Sequence, residues 1–226
     1  MPTLKPKSMM RRTVLFGGVG LLASGCIESP VVSNFASVMR SAAFGGPDLP
    51  LKREAVTKLP YASMTARVGR GPQDFLVLGK IAGRDHHWVA SDKSILVIRG
   101  GRLVRTVGFN ENLLGTTDVG QDPVDKQLHV VKNGASYTRL VDSDFKQSYG
   151  VPIDSTFEVL GDAKIDIVEL TFDTIVVRER STARTLQWDF ENVYWVDPED
   201  GFVWRSRQHF TRSLPPISYD VLKPAA

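Results

Sequence analysis

The stretch SILVIRGGRLVRTVGF, Ser94–Phe109, holds two apolar runs rich in β-branched residues on either side of Gly100-Gly101. Adjacent glycines accept the positive φ angles that a two-residue hairpin turn demands, and the flanking residues favour a pleated, half-buried surface. Two strands joined so tightly must be antiparallel neighbours, because a parallel pair needs a crossover of a dozen residues or more. The stretch therefore predicts an antiparallel meander.

Working outward, QDFLVLGKIAG (73–83) and HHWVAS (86–91) read as further short strands divided by turn residues, with no room for a long helix. In QLHVVKNGASYTRLV (127–141), an Asn133-Gly134 hairpin would set Val131 opposite Ser136, Val130 opposite Tyr137 and His129 opposite Thr138. Leu128, Val130 and Tyr137 would then share a dry face. In AKIDIVELTFDTIVVRER (163–180), Ile165 and Ile167 lie on one parity and Val168, Leu170 and Phe172 on the other. A bulge near Ile167-Val168 would produce that change of face, as a sheet curling into a barrel requires. VYWVDPEDGFVWRSRQ (193–208) reads as a hairpin turning through Pro198 and Gly201. The expected class is mainly all-β, an antiparallel meander curled into a barrel-like or half-barrel sheet with one or two short N-terminal helices. One helix is expected around Phe35, Val38, Met39 and Ala42, and a second over 52–58, closed by Leu59-Pro60.

The chain has 226 residues and one cysteine, Cys26, at the end of an uncharged run behind Lys5, Lys7, Arg11 and Arg12. That is the layout of an export signal, and the run is shorter than the roughly 20 apolar residues that a membrane span requires. Leu22, Ala23, Ser24 and Gly25 before Cys26 resemble a bacterial lipoprotein signal, although Ala23 stands where leucine is preferred. Cleavage after Gly25 with acylation of Cys26 by diacylglyceryl and palmitate-type chains is expected. Arg11-Arg12 is also compatible with twin-arginine export, and Ile27 after the cysteine favours the outer membrane over retention at the inner one. The expected organisation is a signal peptide (1–25), a lipidated tether with a short helix (26–50) and one β-rich domain (51–226).

All four charged residues of the signal are positive, so removing them turns the net charge of +3 into −1. The electrostatic case for nucleic-acid binding disappears with them.

No nucleophile elbow, phosphate loop or dinucleotide fingerprint is present, and no cofactor is expected. His86 and His87 point to opposite faces of a strand, and His129 and His209 are distant in sequence, so no metal site is expected. Asp166, Glu169 and Asp173, or Asp197, Glu199 and Asp200, contain the residue types of a glycosidase pair but read as solvated faces and a turn. Trp88, Trp188, Trp195 and Trp204 offer flat apolar faces for sugar stacking or for a core. Arg99, Arg102 and Arg105 cluster around the Gly-Gly turn. With Trp88 they form the candidate contacts for an acidic glycan, a lipid head group or a partner.

Six blocks carry a resemblance: LPYASM (59–64), PQDFLVLG (72–79), WVASDK (88–93), GRLVRTVGF (101–109), GFVWRSRQ (201–208) and VLKP (221–224). In this order, behind a lipidation signal, they resemble the YjbF/GfcB family, the group 4 capsule polysaccharide lipoproteins. The resemblance implies a curled antiparallel β-domain tethered to the periplasmic face of the outer membrane of a Gram-negative bacterium. It also implies a non-enzymatic place in exopolysaccharide or capsule secretion, beside a large outer-membrane secretion protein or the polysaccharide itself. Only Cys26 matches a position with an assigned role, and no catalytic residue is implied. Two other functions remain open: a periplasmic polysaccharide-modifying enzyme, which needs converging carboxylates in a tryptophan-lined cleft, and a passive envelope protein that holds lipid in a barrel lined only by apolar side chains.

Overall fold

A computed structural model describes residues 46, 48–118, 121–126 and 128–225. The signal, Cys26 and the helix expected around Phe35 lie outside the described residues. Twelve strands form one antiparallel sheet: β1 (Ser63–Val68), β2 (Asp74–Ala82), β3 (Asp85–Ala90), β4 (Ile95–Arg99), β5 (Arg102–Val107), β6 (Leu113–Asp118), β7 (Ser136–Ser143), β8 (Ser148–Ile167), β9 (Leu170–Ala183), β10 (Trp188–Val196), β11 (Val203–Gln208) and β12 (Ile217–Lys223). Two short helices accompany them, α1 (Arg53–Lys58) and α2 (Pro123–Lys126). α1 stops at Leu59, which is extended at ψ 134 before Pro60, as the residue ahead of a proline prefers.

Every strand pairs with its neighbour in sequence except β5 with β6, and β1 pairs with β12, Val68 opposite Ile217. The meander is thus nearly closed into a barrel whose first and last strands meet in an antiparallel ladder, in register from Met64 to Val68 with an irregularity at Ser63-Met64. Side chains bridge the break. Thr106 Oγ1 on β5 accepts the Leu113 N–H at 3.0 Å, and Thr116 Oγ1 on β6 donates to the Val104 carbonyl at 3.2 Å. Buried edge groups find partners there without a ladder.

Gly100 and Gly101 make the β4–β5 turn at φ 53 and 102. A Cβ on Gly101 would stand 2.4 Å from Val203 Cγ2, so the turn needs glycine both for its conformation and for the close approach of β11. Gly101→Ala is expected to lower unfolding stability by at least about 2 kcal/mol in urea titrations. Gly134→Ala, with φ 82 but open space around it, should show only the backbone part, about 1 kcal/mol.

Two local expectations are corrected. The Asn133-Gly134 turn exists, with Gly134 at φ 82, but it does not join two strands. Pro123 opens α2, while Asp122 Oδ1 accepts the Val124 N–H at 3.0 Å, and Leu128–Val130 forms a 3-10 turn. Proline's fixed φ and a carboxylate ahead of it favour a helical start over a strand. β7 therefore pairs with β6 and β8, placing Tyr137 opposite Ser155, and Val130 is 57% exposed.

The parity change around Ile167 comes from a hairpin turn and not from a bulge. Val168 and Glu169 adopt φ 44 and 64, and Ile167 pairs with Leu170 and Ile165 with Phe172. A two-residue turn always pairs odd with even positions, so the apolar set changes parity while staying on one face. The bulge lies earlier, between Val159 and Gly161. At roughly 3.3 Å per residue the 20 residues of β8 would reach about 66 Å, and the bend folds the surplus over the outside of the barrel. There Phe172 packs 4.1 Å from Trp204, Arg205 Nη2 donates to the Asp166 carbonyl, and Arg53 donates to the carbonyls of Ile167, Val168 and Leu222. Val56, Ile165, Ile167 and Leu222 form a second apolar cluster under α1, separate from the barrel core around Met64, Leu76, Trp88, Phe157, Val177 and Tyr219.

Candidate functional site

Of the residues singled out in sequence, Arg102 moves furthest from expectation. Expected as a candidate contact for a glycan, head group or partner beside the Gly-Gly turn, it is 2% exposed and points into the barrel. Closure of the sheet surrounds it with groups from distant strands. Its Nη1 and Nη2 donate to the two Glu179 oxygens at 3.1 Å each, and Nε and Nη2 grip Asp122. Glu179 also accepts from Arg139 Nη1, Asn192 Nδ2 and Tyr194 Oη, each at 2.8 Å. Burial opposes the charge on both Arg102 and Glu179. The carboxylates hold Arg102 protonated, and Arg102 and Arg139 bring the Glu179 carboxyl well below the ordinary carboxylate range. Two cations and two anions balance inside the barrel. An interior of this kind is not lined only by apolar side chains, so the condition set for a lipid-holding barrel is not met.

Trp88 is 4% exposed and belongs to the core, which removes its open face from a glycan. Arg99 is half-buried and clamped by Asp85, with Nε to Oδ1 at 2.7 Å, and by Asp118 at 3.3 Å. Arg105 is exposed opposite Val97. The three arginines of the turn therefore do not converge on one surface. Trp188 stacks on Phe190 at 4.1 Å, and Trp204 packs under the folded hairpin.

Five of the six residues of the two acidic sets are engaged locally. Asp166 accepts from Thr171, Glu169 from the Arg53 N–H, and Asp173 pairs with Lys164 at 2.8 Å. Asp197 accepts the Glu199 N–H and Trp204 Nε1, and Asp200 the Phe202 N–H, so both order the β10–β11 turn. The histidines lie at three separate places: His86 and His87 on β3, His129 against Gly201, and half-buried His209 with Nδ1 3.1 Å from the Glu191 carbonyl. Among the described residues no group of three or more His, Cys, Asp or Glu is placed to hold a metal ion, and no helix is long and apolar enough to cross a membrane.

Two concave surfaces of the barrel bear on the charged residues. At one mouth of the barrel, the turns at Gly83-Arg84, Gly100-Gly101 and Asp200–Phe202 enclose a cleft of about 510 Å³. Asp125 closes part of it, paired with Arg84; burial, only partly offset by Arg84, raises its carboxyl above the ordinary value. The second, about 370 Å³, lies on the outer face of β1, β12, β11 and β10. The ladders build it in two rows. Arg67, Ser218 and Arg207 are successive partners in one row, and Thr65, Asp220, Arg205 and Trp195 in the next. Arg205 holds Asp220, with Nη2 to Oδ2 at 3.0 Å, and stands 5.9 Å over the Trp195 ring. Gln73 Nε2 donates to Thr65 Oγ1, and its Oε1 accepts the Leu49 N–H, each at 3.0 Å, fixing the amide at the rim. Sequence reading missed this groove because its residues come from four strands and the two segments that hold Asp48 and Gln73. The alternating Arg205 and Arg207 in WRSRQ were its one local sign.

Comparison with known proteins was informative over nearly the whole chain. Residues 36–222 match the family described as group 4 capsule polysaccharide lipoprotein GfcB, YjbF. The uncharacterized lipoprotein GfcB of Escherichia coli (strain K12) is 30% identical over 215 residues, covering 95% of this chain and 99% of its own. The uncharacterized lipoprotein YjbF of the same organism is 29% identical over 209 residues, covering 91% and 94%. A crystal structure of the hypothetical lipoprotein YmcC from E. coli superposes with a TM-score of 0.70 at 28% identity, covering 88% of this chain and 98% of that one.

Proposed function

This chain belongs to the family of group 4 capsule polysaccharide lipoproteins, and from that premise we propose that it is a non-enzymatic component of exopolysaccharide or capsule secretion or assembly. In this reading acyl chains on Cys26 hold it at the periplasmic face of the outer membrane. There it engages an outer-membrane secretion protein or the glycan. Tethering raises its effective concentration beside an export channel without any new contact.

The observation that carries the reading is the match over 36–222, reinforced by relatives that align along almost their whole length. Support for a role without catalysis comes from how the carboxylates are engaged. Of the acidic residues with the types of a glycosidase pair, Asp166, Glu169, Asp173, Asp197 and Asp200 are bound to hydroxyl, amide, indole or lysine groups, and the buried pair, Asp122 and Glu179, is neutralised by Arg102 and Arg139. A general acid at neutral pH needs a raised carboxyl; Glu179 is driven the opposite way, and Asp125, raised by burial at the barrel mouth, is held singly by Arg84 with no second carboxylate among the residues lining that cleft except Asp200, which is bound in its turn.

Deletion of the gene is expected to reduce cell-surface or secreted polysaccharide several-fold, measured as uronic acid and total hexose in capsule and culture fractions, with restoration by the plasmid-borne gene. Unchanged yield in both fractions would remove the proposal.

A further inference from the structure

We propose that the outer-face groove between Arg67 and Arg207 binds an anionic glycan through a sugar carboxylate. The inference deepens the preceding reading, and rests on it for taking the ligand to be a polysaccharide. Arg67 and Arg207 flank Ser218 in one ladder row, so their Cα atoms start about 10 Å apart, two strand spacings. Serine is too short to fill the space between two guanidinium stems, which is why the sheet is concave there.

The charges are not equivalent. Arg205 is committed to Asp220 by a two-toothed contact and to Trp195 by stacking, so it shapes the floor. Arg207 is exposed and has no ion pair among the described residues. Arg67 has only Asp48, whose side chain is 77% exposed, and a pair so open to water contributes at most about 1 kcal/mol. An incoming carboxylate can therefore recruit Arg67 at little cost while giving Arg207 its missing partner in bidentate geometry.

The remaining lining selects a sugar over a bare anion. Trp195 is half-buried and offers apolar ring area beside the charges. Gln73 has one amide hydrogen left after bonding Thr65, and half-buried Ser218 carries a hydroxyl between the two arginines. Such groups match ring hydroxyls flanking a carboxylate. A phosphatidylglycerol head group offers comparable charge but no ring for the tryptophan and amide to meet, and it is the competing outcome of the test.

The test is isothermal titration of the full chain in detergent micelles with oligogalacturonate, maltodextrin of equal length and phosphatidylglycerol vesicles. Oligogalacturonate should bind, with affinity falling as salt rises, while maltodextrin should not. Arg207→Ala should weaken binding at least tenfold, Arg207→Lys less, and Arg67→Ala should act in the same direction, all with unchanged melting curves because both side chains leave the core untouched. Absence of oligogalacturonate binding, equal binding by Arg207→Ala, equal binding of maltodextrin, or Arg207-dependent preference for the vesicles would overturn the proposal. Gene deletion reads the parent function separately. Lost secretion with no glycan binding removes the groove site alone, whereas Arg207-dependent binding with normal secretion removes the secretion role alone.

Discussion

Replacing Glu179 by glutamine is expected to destabilise the protein by about 3–5 kcal/mol, the usual consequence of leaving buried charge uncompensated. The substitution keeps the shape of the side chain but removes the negative charge that Arg102 and Arg139 share at 2.8–3.1 Å, and forces an amide N–H against one of those donors. A domain of this size has a total stability of about 5–15 kcal/mol, so the loss is a large fraction of the whole. At about 2–4 °C per kcal/mol the melting temperature should fall by roughly 10 °C. Urea and thermal unfolding check it, and a loss below 1 kcal/mol would show that the barrel interior tolerates the imbalance.

The pH dependence follows from the same site. Although burial opposes its charge, Arg102 and Arg139 hold the Glu179 carboxyl well below the ordinary carboxylate range. Its contribution is therefore complete above about pH 5 and is lost as pH falls from the unfolded value toward the folded one. From this one carboxyl, stability should decline with a slope approaching 1.4 kcal/mol per pH unit, about one proton, between pH 4 and pH 2. In Glu179→Gln that part of the slope should be missing, which separates the site from the general acid sensitivity of exposed ion pairs.

Cys26→Ser carries the second large effect. With the sulfur gone, no thioether-linked acyl chains can form, and at about 0.8 kcal/mol per buried methylene the loss of two or more chains lowers membrane affinity by many orders of magnitude. Radiolabelled palmitate should enter the wild-type polypeptide and not the variant, and the variant should be missing from the outer-membrane fraction of a density gradient. Polysaccharide export should fall with it, even though the β-domain melts normally. An unmodified thiol in the intact mass of the wild-type protein would overturn the anchor.

What could be read in advance was what neighbours along the chain decide. The Gly100-Gly101 and Pro198–Gly201 turns were legible because the residues that need positive φ or a fixed φ sit in the turn itself. Val168-Glu169 was misread because neither residue advertises a left-handed conformation, and the same parity change arises from a bulge or from a hairpin. Asn133-Gly134 was a true turn with a false partner, since proline and aspartate upstream favoured a helical start. For the site, the arginines at the Gly-Gly turn were visible as charge, but whether an arginine faces solvent depends on what stands opposite.

Alternation, β-branching, glycine and proline act over a few residues, and for that reason the antiparallel meander, most turns and the short helix before β1 are written locally in the chain. Folding of the whole sheet is what brings β1 onto β12, β8 and β9 back over the outside, Arg102 to Glu179 77 positions away, and Arg67 and Arg207 to either side of one serine. Those outcomes depend on strand register summed around a nearly closed barrel. A shift of one residue anywhere in that circuit would exchange the inward and outward faces, and no local pattern contains that sum.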